Sequence, residues 1–207
     1  MGLSADQLRT SLDALARIEP AIAAALGRVG YPEPRIRERG YGTLLRTIVG
    51  QQVSVQAAQS IWNKLEAALG DLDDPRTIAR ADAETLRAAG LSRQKASYAV
   101  SLADEVASGR LDLDHLPADD EQAIAQLVRI KGIGRWSAEI YLLFAEGRAD
   151  IWPAGDLAVQ IEIGRILGHA DRPGEKAVRQ LAEGWRPHRG AAAILAWHHY
   201  KADMAVV

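Results

Sequence analysis

Two short segments of this 207-residue chain carry residue types and spacings that can do chemistry. The first reads Leu127-Val128-Arg129-Ile130-Lys131-Gly132-Ile133-Gly134-Arg135-Trp136-Ser137-Ala138. An apolar helix end runs into Gly-Ile-Gly, and small residues then restart a helix. Two glycines one residue apart allow a sharp turn that exposes successive backbone N–H groups. At the mouth of a helix, where the dipole is positive, such a turn attracts an anion such as phosphate. Arg135 stands beside it and Ile133 anchors it from beneath. On G-x-G alone, a plain helix–helix connector with glycine at the C-cap is the commoner reading. The second segment is Trp152-Pro153-Ala154-Gly155-Asp156-Leu157-Ala158-Val159, in which Pro and Gly shape a loop and Asp156 opens an apolar helix. Asp at such a position is first of all an N-cap, worth about 1 kcal/mol. Held rigidly among aromatic walls, the same carboxylate can stabilise an oxocarbenium-like sugar and align a water, as in glycoside cleavage.

Composition narrows what these segments can serve. The absence of Cys excludes a disulfide scaffold, a thiolate nucleophile, Cys-ligated zinc and a Cys-bound iron–sulfur cluster. With 25 Lys and Arg against 27 Asp and Glu, the chain lacks a broad basic coat for nucleic acid. A small, local phosphate site stays compatible with that balance. Five Trp stand against one Phe, and each indole brings a large ring with a donor that needs a partner. Trp62 and Trp185 read as core. His198 and His199 project about 100° apart on one helix and have no convergent third ligand, so no metal site is expected there. His188 reads as a helix-start or phosphate contact, and Arg35, Arg37 and Arg39 as solvated loop surface rather than a DNA arm. Arg93 and Lys95, beside a cap at Ser92, are candidate phosphate contacts. The N-terminus has no apolar h-region and no run of 18 apolar residues occurs, so neither a secretory signal nor a membrane span is expected.

The elements that must position these residues are almost all helical. Leu8, Leu12, Leu15 and Ile18 give one apolar face that stops at Pro20. A second helix is expected over 21–29, closed by Gly30, with a proline loop over 31–42. A helix from Thr43 through Gln52 meets another running from Ser54 to about Leu69. Further helices are expected over 75–80, 83–89 capped by Asp82, 93–108 capped by Ser92, 121–130, 136–146, 156–167, 174–184 and 188–203. The class is all-α, a compact two-lobed array of about ten helices. The approximate lobes are 42–150, holding the hairpin 127–138, and 1–41 plus 151–207, within a single unit spanning 1–207.

The G-I-G-R-W-S-A turn followed by W-P-A-G-D-L-A-V resembles the helix–hairpin–helix, Gly/Pro-rich-loop, aspartate (HhH-GPD) superfamily of DNA base-excision glycosylases. Within it, the chain is most similar to the bacterial DNA-3-methyladenine glycosylase II group. The likeness runs from Leu44-Leu45-Arg46-Thr47-Ile48-Val49-Gly50-Gln51-Gln52-Val53-Ser54 to Trp185-Arg186-Pro187-His188-Arg189 and Trp197. The resemblance implies that Asp156 is the catalytic aspartate. It implies that Gly132, Ile133, Gly134 and Arg135 form the DNA-phosphate hairpin, with an alkali ion (Na+ or K+) held by backbone carbonyls around Ile130 and Ile133. Trp136 and Trp197 fall on aromatic positions of the base pocket, and Tyr141 lies one position out of register with the family's pocket tyrosine. Gln51, Gln52 and Ser54 fall in the loop that enters the minor groove and fills the gap left by a flipped nucleotide. Where near relatives have an apolar wedge, this chain has Gln52. Where strand-cleaving members have a Schiff-base lysine, it has Trp136, and Lys131 lies on the wrong side of the turn to replace it.

The implied activity is removal of alkylated bases of the 3-methyladenine kind from duplex DNA by N-glycosidic hydrolysis, monofunctional and without strand cleavage. A cationic alkylated purine would be held by cation–π contact with the indoles. No cofactor, zinc or iron–sulfur cluster is implied. The implied partner is double-stranded DNA carrying damaged bases, the protein is implied to be a monomer in a bacterial cytoplasm, associated with the nucleoid, and no membrane is involved. Two alternatives stay open: a glycosylase for deaminated, oxidised or mismatched bases, whose neutral leaving groups need added hydrogen-bond donors, and a catalytically silent helix–hairpin–helix DNA-binding module.

Overall fold

Caps written into the sequence begin most of the helices. The structure, a computed structural model, describes residues 2–204, with no strand among them and twelve α-helices. They form two compact units, one of residues Glu38–Tyr141, the other of the residues up to Arg37 together with those from Leu142 onward.

In the Glu38–Tyr141 unit, α3 (Tyr41–Gly50), α4 (Val55–Leu69), α5 (Pro75–Ala79), α6 (Ala83–Ala88), α7 (Arg93–Ala107), α8 (Asp120–Leu127) and α9 (Arg135–Tyr141) follow one another. Ser54, Asp74, Asp82, Ser92 and Asp119 each accept from a backbone N–H of the helix they open. Such caps satisfy donors that a helix start otherwise leaves orphaned. α7 packs against α3, α5 and α6, burying Ala96, Ala99, Leu102 and Ala103. Helix α3 stops at Gly50, short of the expected Gln52, because the backbone leaves the helical region at Gln51 (ψ 132°) and Gln52 follows with φ 54°.

The other unit contains α1 (Ala5–Ile18), α2 (Pro20–Val29), α10 (Leu157–Ile166), α11 (Glu175–Leu181) and α12 (Arg189–Met204). A reciprocal capping box of Ser4 and Gln7 starts α1. Both α10 and α1 pack on α12, whose residues from Ala191 to Ala196 are all buried. The small side chains of that stretch allow close helix approach. A Cβ on Gly190 would lie 2.7 Å from the Ala149 carbonyl oxygen, so α12 begins against backbone.

The single helix expected over 136–146 is instead α9 followed by a π-helical turn, Leu142–Glu146. Within that turn the Phe144 carbonyl accepts from Arg37 N–H at 2.8 Å, a lateral bond that a regular α-ladder would not spare. The expected 174–184 helix likewise divides into α11 and a 3-10 turn, Ala182–Trp185. No helix among the described residues is long and apolar enough to cross a membrane.

Candidate active site

Asp156 sits where the Pro-Gly loop turns into α10. Gln160 Nε2 donates to the Ala154 carbonyl (2.8 Å) and Asp156 N–H to the Pro153 carbonyl (2.9 Å), so the loop is held by its own helix. The Asp156 carboxylate is half-buried, and its Oδ1 accepts from Val159 N–H at 3.0 Å. It is therefore the N-cap that the sequence suggests. It is also more than a cap, because Trp197 Nε1 on α12 donates to the same oxygen at 3.1 Å. Packing α10 on α12 brings these two residues together although they lie 41 positions apart.

Trp197 is one member of an aromatic and cationic stack. Its ring lies 5.6 Å from that of Phe144, tilted by 45°. The Arg35 guanidinium sits over the Trp197 ring at 5.6 Å and that of Arg37 over Phe144 at 5.8 Å. Arg37 and Arg39 are exposed, as expected of solvated loop surface, whereas Arg35 is half-buried against the Trp197 ring. Arg39 belongs to the Glu38–Tyr141 unit and donates to the Leu113 and Asp114 carbonyls of that same unit. An alternating Arg-x-Arg pattern in a proline loop is a weak signal that only the fold interprets.

In the Glu38–Tyr141 unit the hairpin is a turn between α8 and α9. Gly132 takes φ 85°, and a Cβ there would meet the Tyr98 ring at 2.1 Å. Both backbone and packing require glycine. Gly134 differs, since a Cβ there would meet nothing within 4 Å. Ile133 is buried and its N–H turns inward to the Ile130 carbonyl at 3.0 Å, which makes it the anchor that the sequence suggests. Arg135, expected beside a phosphate, is tied to Glu121 and to the buried Glu139 (2.9 Å). Hydrogen bonding to Glu121 leads in raising its pKa above the ordinary arginine value. Trp136 is 47% exposed on this unit.

The loop between α3 and α4 is tied to the hairpin. Gln51 Nε2 donates to the Gly132 carbonyl at 2.8 Å, while Ser54 caps α4. Gln52 is exposed at the tip, and Val53 and Val55 flank it at 39% and 89% exposed. These two apolar side chains were not singled out from sequence, where nothing distinguishes them from core valines. Lys95 does not stand ready for phosphate: its ammonium donates to the Val49 carbonyl at the end of α3 (2.9 Å), and burial lowers its pKa. Arg93 lines a groove of about 650 Å³ in this unit, together with Arg87 and Lys131 of the hairpin. Tyr141 is buried, and its hydroxyl accepts from Gly40 N–H at 3.0 Å, so it fastens the start of α3 rather than offering an open pocket wall.

The remaining tryptophans are structural. Trp152 and Trp185 are buried edge-to-face at 5.8 Å, and Trp62 is buried beneath the Arg46 guanidinium. His188 faces Ser11 (3.1 Å), His198 the Val29 carbonyl, and His199 is buried against Glu162 at 2.6 Å. Among the described residues no group of three or more His, Asp and Glu is arranged to hold a metal.

Residues 45–187 match the family described as HhH-GPD superfamily base excision DNA repair protein. A putative DNA-3-methyladenine glycosylase of Bacillus subtilis is 29% identical over 165 residues, covering 76% of this chain and 58% of that protein. The fold matches a DNA-3-methyladenine glycosidase of Bacillus halodurans with a TM-score of 0.87, at 28% identity over 94% of this chain and 91% of that one. It also matches a Schizosaccharomyces pombe 3-methyladenine DNA glycosylase in complex with abasic DNA, with a TM-score of 0.76, at 28% identity over 94% and 97%. The chain thus spans 58% of the length of the first of these relatives and nearly all of the two solved structures.

Proposed function

The chain belongs to the HhH-GPD superfamily of base excision DNA repair proteins, and from that premise we propose a monofunctional DNA glycosylase that releases alkylated bases from duplex DNA. The observation that carries this reading is the Asp156 carboxylate, fixed on one oxygen by Val159 N–H and Trp197 Nε1–H at the opening of α10. A structural cap needs only the first of those bonds.

In this reading the hairpin turn receives the DNA backbone at Gly134, where no protein atom crowds the glycine. The carbonyls of Ile130 and Ile133 would hold an alkali ion. Neutral backbone oxygens without carboxylates suit a monovalent cation, which would add positive charge facing a phosphate. The exposed loop tip of Gln52, Val53 and Val55 fills the gap left by the extruded nucleotide, a step that costs a few kcal/mol and least where damage has weakened pairing. Once the base is flipped, C1′–N bond cleavage sends the electron pair to the base. A cationic alkylated purine leaves neutral and needs no general acid. The Asp156 carboxylate stabilises the cationic sugar and orients the attacking water, which is why one carboxylate suffices where most glycosidases use two. Without an amine at Trp136, no Schiff base forms and the strand stays intact.

Asp156→Asn tests the reading on methylated duplex DNA. Asparagine is an equally good cap, so the fold and DNA binding should persist while base release falls by about 1000-fold or more, the scale of removing a catalytic charge. Release at the wild-type rate refutes the mechanism.

A further inference from the structure

We propose that Arg35 is a specificity-determining residue that turns the base pocket toward neutral damaged purines and away from cationic ones. The inference rests on the glycosylase reading above, in which the extruded base lies against Trp197.

Three observations carry it. The Arg35 guanidinium already lies over the Trp197 ring, 5.6 Å from its centroid. The segment holding it is fixed by backbone: Arg37 N–H donates to the Phe144 carbonyl at 2.8 Å, and a Cβ on Gly2 would come within 2.8 Å of the Arg35 carbonyl oxygen. Arg35 is half-buried, and Arg37 sits over the neighbouring Phe144 ring. Burial and then the charge of Arg37 lower the Arg35 pKa from its ordinary value, the mark of a cation held partly out of water. The indole that an alkylated purine would use for cation–π contact therefore already has a resident cation.

Two consequences follow from charge alone. A cationic purine such as N7-methylguanine meets a like charge at the same ring, which removes part of its cation–π gain. A neutral purine such as 1,N6-ethenoadenine or hypoxanthine meets none, and its departure gains from the same group. When the C1′–N9 bond of a neutral purine breaks, both electrons go to the base, which leaves as an anion. Water oxygen bonds to C1′, its proton passes to the Asp156 carboxylate, and the base anion takes a proton from solvent. A guanidinium beside the leaving purine stabilises that anion by charge and hydrogen bonding without giving up its own proton. Neutral leaving groups need such a donor, and Arg35 supplies one from outside the recognised motifs.

The test measures single-turnover base release, at saturating enzyme, from duplexes carrying 1,N6-ethenoadenine, hypoxanthine or N7-methylguanine. Wild type, Arg35→Gln, Arg35→Met and Arg35→Lys are compared, with thermal melts to establish folding; Met keeps the aliphatic stem should Gln perturb the loop. The neutral-to-cationic rate ratio should fall about tenfold or more in the Gln and Met variants, the scale of one cation–π contact. It should stay within about threefold of wild type in the Lys variant, which keeps the charge. A ratio within about twofold of wild type in a folded neutral variant overturns the role of Arg35 while leaving the glycosylase reading intact. A wild-type protein that releases no base from any duplex overturns both.

Discussion

Trp197 Nε1 donates to Asp156 Oδ1 at 3.1 Å, on the same oxygen that accepts from Val159 N–H at 3.0 Å. The indole thus positions the carboxylate, in addition to the base-stacking role proposed for it. Trp197→Phe keeps a ring and removes the donor. Hydrogen bonds to charged groups contribute about 1.5–3 kcal/mol, so base release should slow by roughly 10–100-fold. Single-turnover rates on methylated DNA check this, and a rate equal to wild type would reduce Trp197 to a pocket wall.

The two hairpin glycines should part company under substitution. Gly132→Ala combines φ 85° with a Cβ 2.1 Å from the Tyr98 ring, and should destabilise the protein by about 2–4 kcal/mol. Gly134→Ala meets no protein atom within 4 Å and should change stability by less than about 0.5 kcal/mol. Its effect should appear instead as weaker binding to duplex DNA by fluorescence anisotropy. Equal affinity for Gly134→Ala and wild type would remove Gly134 from the DNA interface.

Adjacent glutamines have separable jobs. Gln51→Ala deprives the Gly132 carbonyl of its donor and should cost about 1–2 kcal/mol in a denaturant melt. Gln52 has φ 54°, a conformation that costs a non-glycine residue about 1 kcal/mol. Gln52→Gly relieves that strain and should be at least as stable as wild type, yet bind an abasic-site duplex more weakly. Undiminished abasic-site affinity would transfer the wedge to Val53 and Val55.

A polar chain, buried at His199 and Glu162 and exposed at its two arginines, joins α2, α10 and α12. Arg28 faces His199 Nε2 at 3.0 Å, His199 Nδ1 faces Glu162 at 2.6 Å, and Arg165 completes the chain at 2.8 Å. Arginine can only donate, so the His199 proton sits on Nδ1 and is donated to Glu162. Glu162 is fully buried. Removing one of its two partners by His199→Leu leaves Arg165 in place and should destabilise the fold by about 1.5–3 kcal/mol, the scale of a hydrogen bond to a charged group, with the loss seen in thermal melts before any loss of activity at low temperature.

Much of this fold is legible along the chain because helix signals are local. Ser54, Asp82 and Ser92 stand three residues before the backbone donors they cap, and α1 buries Leu8, Leu12 and Leu15 of its expected apolar face but leaves Ile18 exposed. The π-turn at Leu142–Glu146 is not legible, and the bond it receives from Arg37 at the Phe144 carbonyl comes from far away in sequence. The site divides the same way. Asp156 and the glycines declare themselves by spacing. Arg35 does not, because what matters is the ring beneath it. The same holds for Lys95, a plausible phosphate ligand in one dimension that folding commits to the Val49 carbonyl, and for Tyr141, whose buried hydroxyl accepts from Gly40 N–H.

The chain order of the two units has a consequence for synthesis. Helices α1 and α2 leave the ribosome before the Glu38–Tyr141 unit, but α10 and α12, against which they pack, come only after that whole unit has been made. At about 5–20 residues per second the wait is on the order of 10 s. Through it, Leu8, Leu12, Leu15 and Ile22 of the first two helices lack the packing they have in the finished unit. The Asp156–Trp197 hydrogen bond forms only when α12 arrives, so the hazard of aggregation falls before the candidate site is assembled.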